Sequence, residues 1–499
     1  MQSQKILFVV GFKLSKYVLS FVFFYLMVLF YEPKIIGTVQ FAIAFISIFS
    51  FIFNIGFSIA HLKIYPEEEN KAACIGVLLT FKTLFILLSL IFYFTLLGFM
   101  NLEGILLTIF IIFIFEKIIE GINTSMSNIL IADNETLKGT FPWIIISLSK
   151  VFLLIMGLFV FPTNEVTLAF IYLLSTLFHT GFLFIYFMPY KINKPTKYLL
   201  KKYLHYTYPL TFANIAVLLS GNIGIVLINF WISPETVAFY YAGDHLSVFR
   251  TIIPNVVSLV MVSIFSKNIK EKNLKKNRQI IKNISKYFCI LWTGVILISF
   301  LYSDEFITIF LGDTYRPSIF VFNILILTQI IIINDIAVYT DLNARGLTKL
   351  FSLIKTIGET YNIFLIIFFI APFGLNLGIN GLALSFLFKN ITYTPIVRLF
   401  LWIKYKYTYN FRIFLYLLAA IIIYFANSLY SANIDFISNF YLIPVFIAID
   451  LCLYFGILFL FRCIKKEDLK YFKLFLNIKS LLHILYDDLT IKNNNSNNK

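Results

Sequence analysis

The chain has 499 residues, of which 60% are apolar and 13% are charged, and its formal net charge is +16. Soluble domains contain about 45–50% apolar and about 25% charged residues, and long chains that fold in water divide into domains with polar surfaces. The composition therefore excludes a soluble enzyme, a disulfide-rich secreted domain and a disordered protein, and it indicates an integral membrane protein with many spans.

Apolar runs long enough to span a membrane recur along the whole chain. A spanning helix needs about 20 predominantly apolar residues, and its backbone hydrogen bonds are satisfied within the helix. A transmembrane β-barrel would instead show alternating segments of about ten residues. The fourteen runs lie near residues 6–30, 37–60, 72–98, 104–131, 141–161, 166–188, 208–231, 236–266, 286–302, 317–340, 350–371, 378–401, 413–430 and 440–461.

The distribution of basic residues between these runs predicts the orientation. With the N-terminus in the cytoplasm, the cytoplasmic segments contain 30 Lys and Arg residues, whereas the external loops contain only Lys34 and Arg316. This asymmetry follows the positive-inside rule and predicts a multi-pass protein of the cell membrane with both termini in the cytoplasm. Topology therefore explains the basic excess, and no nucleic-acid partner is expected.

Short stretches in the two halves of the chain resemble one known family. Pro33 to Gly37 precedes a long apolar run, and Pro234 begins a similar turn 201 residues later, which predicts a parallel repeat. Together with residues 41–44, 54–58, 233–242 and 310–317, these turns resemble the multidrug/oligosaccharidyl-lipid/polysaccharide exporter superfamily. The branch they resemble is that of the flippases for polysaccharide units of the O-antigen type.

The resemblance implies an all-α polytopic fold of about 14 transmembrane helices, with two six-helix lobes in a parallel pseudo-repeat and two extra C-terminal helices. The lobes enclose a central cavity that opens alternately to the two sides of the membrane. The cargo implied is an oligosaccharide linked to a polyprenyl (pyro)phosphate. In this sequence the expected units are an N-terminal lobe at 1–188, a cytoplasmic linker at 189–207, a C-terminal lobe at 208–401, an extra helix pair at 413–461 and a cytoplasmic tail at 462–499.

Basic residues inside the predicted spans are the candidates for binding phosphate. An ionisable side chain at the centre of a spanning helix costs at least about 2.5–3.5 kcal/mol, and cations outnumber carboxylates nine to six in the predicted spans. Lys13, Lys16, Lys355 and Arg398 lie near cytoplasmic ends, where snorkelling to the interface is the alternative explanation. The predicted phosphate-binding residues are Lys82, Lys150, Arg250, Lys389 and Lys16.

Acidic residues inside the predicted spans are the candidates for ion coupling, because a buried carboxylate can exchange a proton or bind a cation. These candidates are Glu116, Glu120, Asp244 and Glu359. Structural ion pairs are the alternative for both sets, and Lys117 and Glu120 have the i,i+3 spacing that allows one.

Three functions remain for such a chain. The first is translocation of a lipid-linked oligosaccharide from the cytoplasmic to the external leaflet, for the assembly of a surface polysaccharide. The second is cation-coupled export of drugs or other small molecules by the same fold, and the third is a membrane glycosyltransferase or another enzyme of polysaccharide assembly. Asp304 and Glu305 are the one external acidic pair, and scattered Cys and His residues indicate neither a metal site nor a cofactor. The expected partners are the lipid-linked substrate and membrane lipids, with a polysaccharide polymerase or a glycosyltransferase as further candidates.

Overall fold

The computed structural model describes residues 2–52, 56–100, 102–248, 258, 261–262, 264–430 and 440–464, and the regular structure in these ranges is helical, without a strand. Sixteen helices are labelled here in chain order. They are α1 (Gln2–Phe30), α2 (Pro33–Phe49), α3 (Phe57–Glu67), α4 (Lys71–Met100), α5 (Gly104–Ala132), α6 (Thr136–Thr140), α7 (Pro142–Val160), α8 (Glu165–Phe187), α9 (Lys197–Trp231), α10 (Pro234–Leu246), α11 (Leu274–Leu311), α12 (Ser318–Ala344), α13 (Thr348–Ile370), α14 (Gly378–Tyr405), α15 (Ile413–Tyr430) and α16 (Ile443–Leu460).

The expected all-α membrane fold with about fourteen spans is confirmed. Ten of the described segments are long and apolar enough to cross a membrane. Three of the four remaining predicted spans overlap α5, α14 and α15. The fourth, at 236–266, begins with α10, and most of its residues after 248 lie outside the described part of the chain. Two of these, α5 and α14, contain several charged residues in their middle turns, and these charges form the site described below.

The second predicted span is not one continuous helix. Helix α2 ends at Phe49 and a short 3₁₀ turn covers Ser50–Ile52. Helix α3 begins only after Gly56, whose φ of 88° is left-handed. Because a residue in this conformation interrupts an α-helix, the prediction of a single helix over residues 37–60 is wrong.

The two Lys-rich connections at 189–207 and 267–286 are largely helical. Helix α9 begins at Lys197, where the Thr196 hydroxyl accepts a hydrogen bond from the Leu199 N–H (3.3 Å). The non-helical part of the predicted linker 189–207 therefore ends at Thr196. Helix α11 similarly begins at Leu274 and continues for 38 residues through a kink at Tyr302. The charge of these segments places them outside the predicted membrane spans. It does not prevent a helix, because lysine is a good helix former.

The two turns of the predicted repeat meet in the structure. Helix α2 packs against α10, and their first turns are so close that a Cβ on Gly37 would lie 1.7 Å from the Pro234 carbonyl oxygen. A glycine is required at this position because a methyl group would overlap the neighbouring backbone. This contact holds the two halves together on the predicted external side, whereas the division into two lobes stays a prediction.

The two C-terminal helices are attached to α11 through a buried polar group. The fully buried Asp450 of α16 accepts hydrogen bonds from the Tyr302 hydroxyl (2.5 Å) and from the Asn427 amide of α15 (3.0 Å). The contact falls at the kink of α11. A buried carboxylate requires such donors, so these hydrogen bonds fix α15 and α16 to α11.

Candidate functional site

Helix α5 contains three charged residues within five positions, and its neighbour α8 binds one of them. The Lys117 ammonium lies 2.7 Å from Glu120 and 3.6 Å from Glu116. The Thr176 hydroxyl of α8 donates a hydrogen bond to the other carboxylate oxygen of Glu116 (3.1 Å). Glu116 is buried, whereas 36% of the Glu120 side chain is exposed. The predicted Lys117–Glu120 ion pair is therefore present, and Glu120 is the carboxylate of the two that a ligand or cation reaches.

Two further lysines approach these carboxylates from α1 and α7. The Lys16 ammonium lies 4.5 Å from the centre of the Trp143 ring, and the Lys150 ammonium lies 4.0 Å from that of Tyr172. In the part of the chain that the structure describes, neither ammonium has a carboxylate oxygen within ion-pair distance. Aromatic faces stabilise a cation by about 0.5–2 kcal/mol but leave its charge uncompensated.

Lys16, Glu116, Lys117, Glu120 and Lys150 are called the N-terminal charge cluster below. It contains three ammonium groups and two carboxylates, and Lys117 is surrounded by both carboxylates. Lys16 and Lys150 are partly exposed, so the uncompensated positive charge is accessible. This arrangement suits an anion, because a phosphate can accept a charge-assisted hydrogen bond from an ammonium group that has no ion pair.

Lys82 lies apart from this cluster. It borders a cavity of about 190 Å³ between α3, α4, α5 and α9, and only 7% of the residue is exposed. The polar side chains of Thr124, Asn128 and Asn214 border the same cavity. Asn214 belongs to the second half of the chain, so Lys82 lies at a junction between the two predicted lobes.

Lys389 and Glu359, to which the sequence assigned different roles, contact each other. The Lys389 ammonium of α14 lies 3.2 Å from both carboxylate oxygens of Glu359 on α13. The Ser220 hydroxyl of α9 donates to Glu359 (2.8 Å), and the Asn362 amide donates to Ser220 (2.8 Å). Sequence reasoning missed Ser220 and Asn362, although Asn362 lies one turn from Glu359, where the i,i+3 spacing marks a shared helix face.

Other charges in the second half form buried pairs. Arg398 pairs with Asp335 and also donates to the Asn334 carbonyl oxygen. It is 6% exposed, so the alternative that it snorkels to the interface is wrong. Asp341 pairs with Arg345 (2.6 Å). These pairs are sufficient to explain why the charges are tolerated in a buried position.

The two remaining predicted site residues are placed differently. Asp244 lies half-buried near the end of α10, separate from the N-terminal charge cluster in the sequence and on a different helix. Arg250 lies outside the described residues. Sequence reasoning also missed the partners on α8, although Tyr172 and Thr176 have the i,i+4 spacing of one helix face.

The chain was compared with known proteins. A family model described as "Polysaccharide biosynthesis protein" matches residues 3–269, more than half of the chain. No curated protein matches. A structure of the lipid II flippase MurJ in an inward closed conformation is 15% identical, with a TM-score of 0.72 over 90% of this chain and 98% of the other.

Drug transporters also have a similar fold. An inward-facing multidrug resistance MATE transporter of the MOP superfamily is 13% identical, with a TM-score of 0.61 over 77% of this chain and 93% of the other. An outward-facing one is 14% identical, with a TM-score of 0.55 over 80% and 94%. The family match agrees with the resemblance to polysaccharide proteins that the sequence motifs indicated, whereas at 13–15% identity the solved structures show a shared fold.

Proposed function

Because the chain belongs to the polysaccharide biosynthesis protein family, we propose that it translocates a polyprenyl-(pyro)phosphate-linked oligosaccharide from the cytoplasmic to the external leaflet by alternating access. The fold supports this proposal, since a lipid II flippase and a multidrug resistance transporter have a similar fold. The chain then acts by transport and not by catalysis.

The sign of the charge in the N-terminal charge cluster supports an anionic cargo. An exporter of cationic drugs needs carboxylates that are not already paired with a cation. Here both carboxylates contact Lys117, and two other ammonium groups have no ion pair among the described residues. We assign the phosphate groups of the cargo to Lys16 and Lys150. Lys82, Lys389 and Arg250 are further phosphate-binding candidates along the path.

An apolar groove beside the cluster suits the lipid part of the cargo. The groove has a volume of about 490 Å³ and lies between α1, α10, α11 and α12. Tyr17, Val18 and Phe21 of α1 face it from one side, and Phe306 of α11 faces it from the other. Lys16 immediately precedes Tyr17, so one helix would hold the phosphate on one face and the polyprenyl chain on the next.

The membrane potential supplies a driving force for this direction of transport. An inside-negative potential favours outward movement of an anion by about 2.3 kcal/mol per charge per 100 mV. We place both termini in the cytoplasm of a cell-membrane protein, in agreement with the basic segments between the spans. Glu120 is then the coupling candidate closest to the proposed phosphate, with Glu116, Asp244 and Glu359 as the others. A polysaccharide polymerase or a glycosyltransferase would be the functional partner.

A reconstituted assay tests the proposal. The protein is inserted into vesicles that contain a fluorescent lipid-linked oligosaccharide in the inner or outer leaflet, and membrane-impermeant quenching or enzymatic trimming measures its movement. We expect movement of the diphosphate-linked oligosaccharide that is faster toward the positive side of an imposed potential. Transport of organic cations by the same vesicles, without movement of the lipid-linked sugar, would contradict the proposal and favour the multidrug exporter.

A further inference from the structure

A second basic site, a cavity that shares no residue with the N-terminal charge cluster, lies at the predicted cytoplasmic ends of α3, α9, α13 and α14. Its volume is about 510 Å³, which is within the range of about 300–1,000 Å³ typical of small-molecule sites. The polar residues that border it include Lys63, His205, Tyr206, Thr348, Lys349 and Lys404. This group of residues is called the mouth cavity below.

The charges around the mouth cavity are all of one sign. Lys63, Lys349 and Lys404 form no ion pair in the described part of the chain, and no acidic residue borders the cavity there. Carboxylates do lie nearby, but Lys202 pairs with Glu68 at 2.6 Å. Three lysines that border one space favour an anion there, because like charges repel one another.

The backbone at the edge of the mouth cavity also favours an anion. The chain turns at Gly346, whose φ of 76° is left-handed, and enters α13 at Thr348 without a side-chain cap. The first amide groups of a helix have no partner within the helix, and together with the helix dipole they attract anions. This helix start borders the mouth cavity with Lys349, so backbone and side chains act on the same space.

The cavity is built from both halves of the chain. Lys63 belongs to α3 in the predicted N-terminal lobe, whereas Lys349 and Lys404 belong to α13 and α14 in the predicted C-terminal lobe. An anion bound here contacts cations from both lobes and removes the repulsion between them. Its binding therefore favours the arrangement in which the lobes are close on this side.

We propose that the mouth cavity is a diphosphate-binding site that receives a phosphate-bearing ligand at the cytoplasmic surface, separately from the N-terminal charge cluster within the membrane. The inference rests on the proposed function only for the identity of the natural ligand, the diphosphate headgroup of the lipid-linked cargo. The Tyr206 ring, 5.1 Å from the Lys63 ammonium, borders the space that the attached sugar would enter.

The experiment measures binding and does not depend on transport. Inorganic diphosphate is titrated into the purified full-length protein in nanodiscs, and a short-chain polyprenyl diphosphate is titrated in a second arm. The triple variant Lys63→Gln/Lys349→Gln/Lys404→Gln is compared with Lys197→Gln/Lys201→Gln/Lys275→Gln. The control variant makes the same charge change at exposed lysines that do not border the cavity.

We expect wild-type protein and the control variant to bind inorganic diphosphate, with an affinity that falls as salt is added. The mouth-cavity variant should bind about tenfold more weakly or worse. Bound diphosphate should also protect Lys63 and Lys404 from an amine-reactive reagent. No binding by the wild type, or an equal loss in both variants, would overturn the site.

The second arm separates the possible sources of the phosphate. Tighter binding of the polyprenyl diphosphate than of inorganic diphosphate, lost in the mouth-cavity variant, supports the lipid-linked cargo as the natural ligand. Equal affinity for both ligands supports the site but overturns the assignment to a lipid-linked ligand. Failure of the vesicle transport assay, with diphosphate binding intact, would contradict the proposed function and leave the site standing.

Discussion

The two halves of the molecule treat charges inside the membrane in different ways. Of the charges within the predicted spans, the first 188 residues contain five cations and two carboxylates, whereas the described residues of 208–401 contain three of each. In the second half Lys389 and Arg398 contact carboxylates directly. In the first half Lys16 and Lys150 contact aromatic rings instead.

This difference separates structural charges from functional ones. A buried pair compensates its own desolvation, and removing one partner leaves the other buried and uncompensated. Replacing a cation that contacts only an aromatic ring costs the fold little stability. Such a cation is available to bind a ligand. We therefore expect substitutions at the paired residues Lys389 and Arg398 to affect folding and substitutions at Lys16 and Lys150 to affect transport.

The largest effect is expected at the buried Arg398–Asp335 pair. Replacing Arg398 by Met leaves Asp335, which is 3% exposed, without its cation, and should lower the free energy of unfolding by about 3–5 kcal/mol. Folded yield and thermal unfolding in detergent measure this loss. The double variant Arg398→Met/Asp335→Leu should recover most of it, because no uncompensated charge remains. A single variant as stable as the wild type would show that this pair is not structural.

At Lys150 we expect a loss of transport with little loss of stability. Lys150→Gln should reduce transport of the lipid-linked oligosaccharide by about ten- to hundredfold, the value of one or two charge-assisted hydrogen bonds to phosphate. The variant should lose no more than the ring contact, about 0.5–2 kcal/mol of the free energy of unfolding, because Lys150 contacts the Tyr172 ring and forms no ion pair among the described residues. The matched control is Lys355→Gln in the second half, which we expect to transport within about twofold of the wild type. Equal transport by both variants would remove the distinction between the halves.

The spans could be predicted from the sequence, whereas the pairing of charges on different helices could not. Apolar runs of about 20 residues are sufficient to locate the spans, since the bilayer sets their length. The pairing of charges depends on which helix faces are adjacent, and Glu359 and Lys389 lie 30 positions apart on different helices. The same holds for Glu116 and Thr176, which are 60 positions apart. The break at Gly56 was also missed, because an apolar run does not reveal a left-handed residue.

The Lys389–Glu359 pair is intermediate between the buried structural pairs and the accessible cations, because its side chains are 14% and 19% exposed. Lys389→Gln should lower the free energy of unfolding by about 1–3 kcal/mol, since Glu359 loses its ion pair and keeps the hydrogen bond from the Ser220 hydroxyl. Adding Glu359→Gln should restore stability. Transport by the stable double variant is the decisive measurement, and we expect it to stay below that of the wild type. Full transport would show that the pair is structural, like Arg398 and Asp335.

The smallest effect is expected at the junction of the halves, where Lys202 of α9 pairs with Glu68 after α3 (2.6 Å). The hydrogen bond to Glu68 raises the pKa of Lys202 above its ordinary value. Since the folded state then holds this proton more tightly, the pair stabilises the fold below the ordinary lysine pKa of about 10.4, and its contribution is lost as the pH rises through the folded value. The pair is partly exposed, so Lys202→Ala should cost only about 0.2–1 kcal/mol at neutral pH and low salt.

Thermal unfolding of wild type and Lys202→Ala, measured at low and high salt, checks this expectation. The difference between the two proteins should shrink at high salt, because added ions screen an exposed pair, whereas the Arg398 variants should keep their full difference. A Lys202→Ala loss that is as large as that of Arg398→Met and independent of salt would place this pair among the buried structural charges. Charge pairs that fix the fold would then extend across the junction into the first half, and the N-terminal charge cluster alone would remain as the accessible exception.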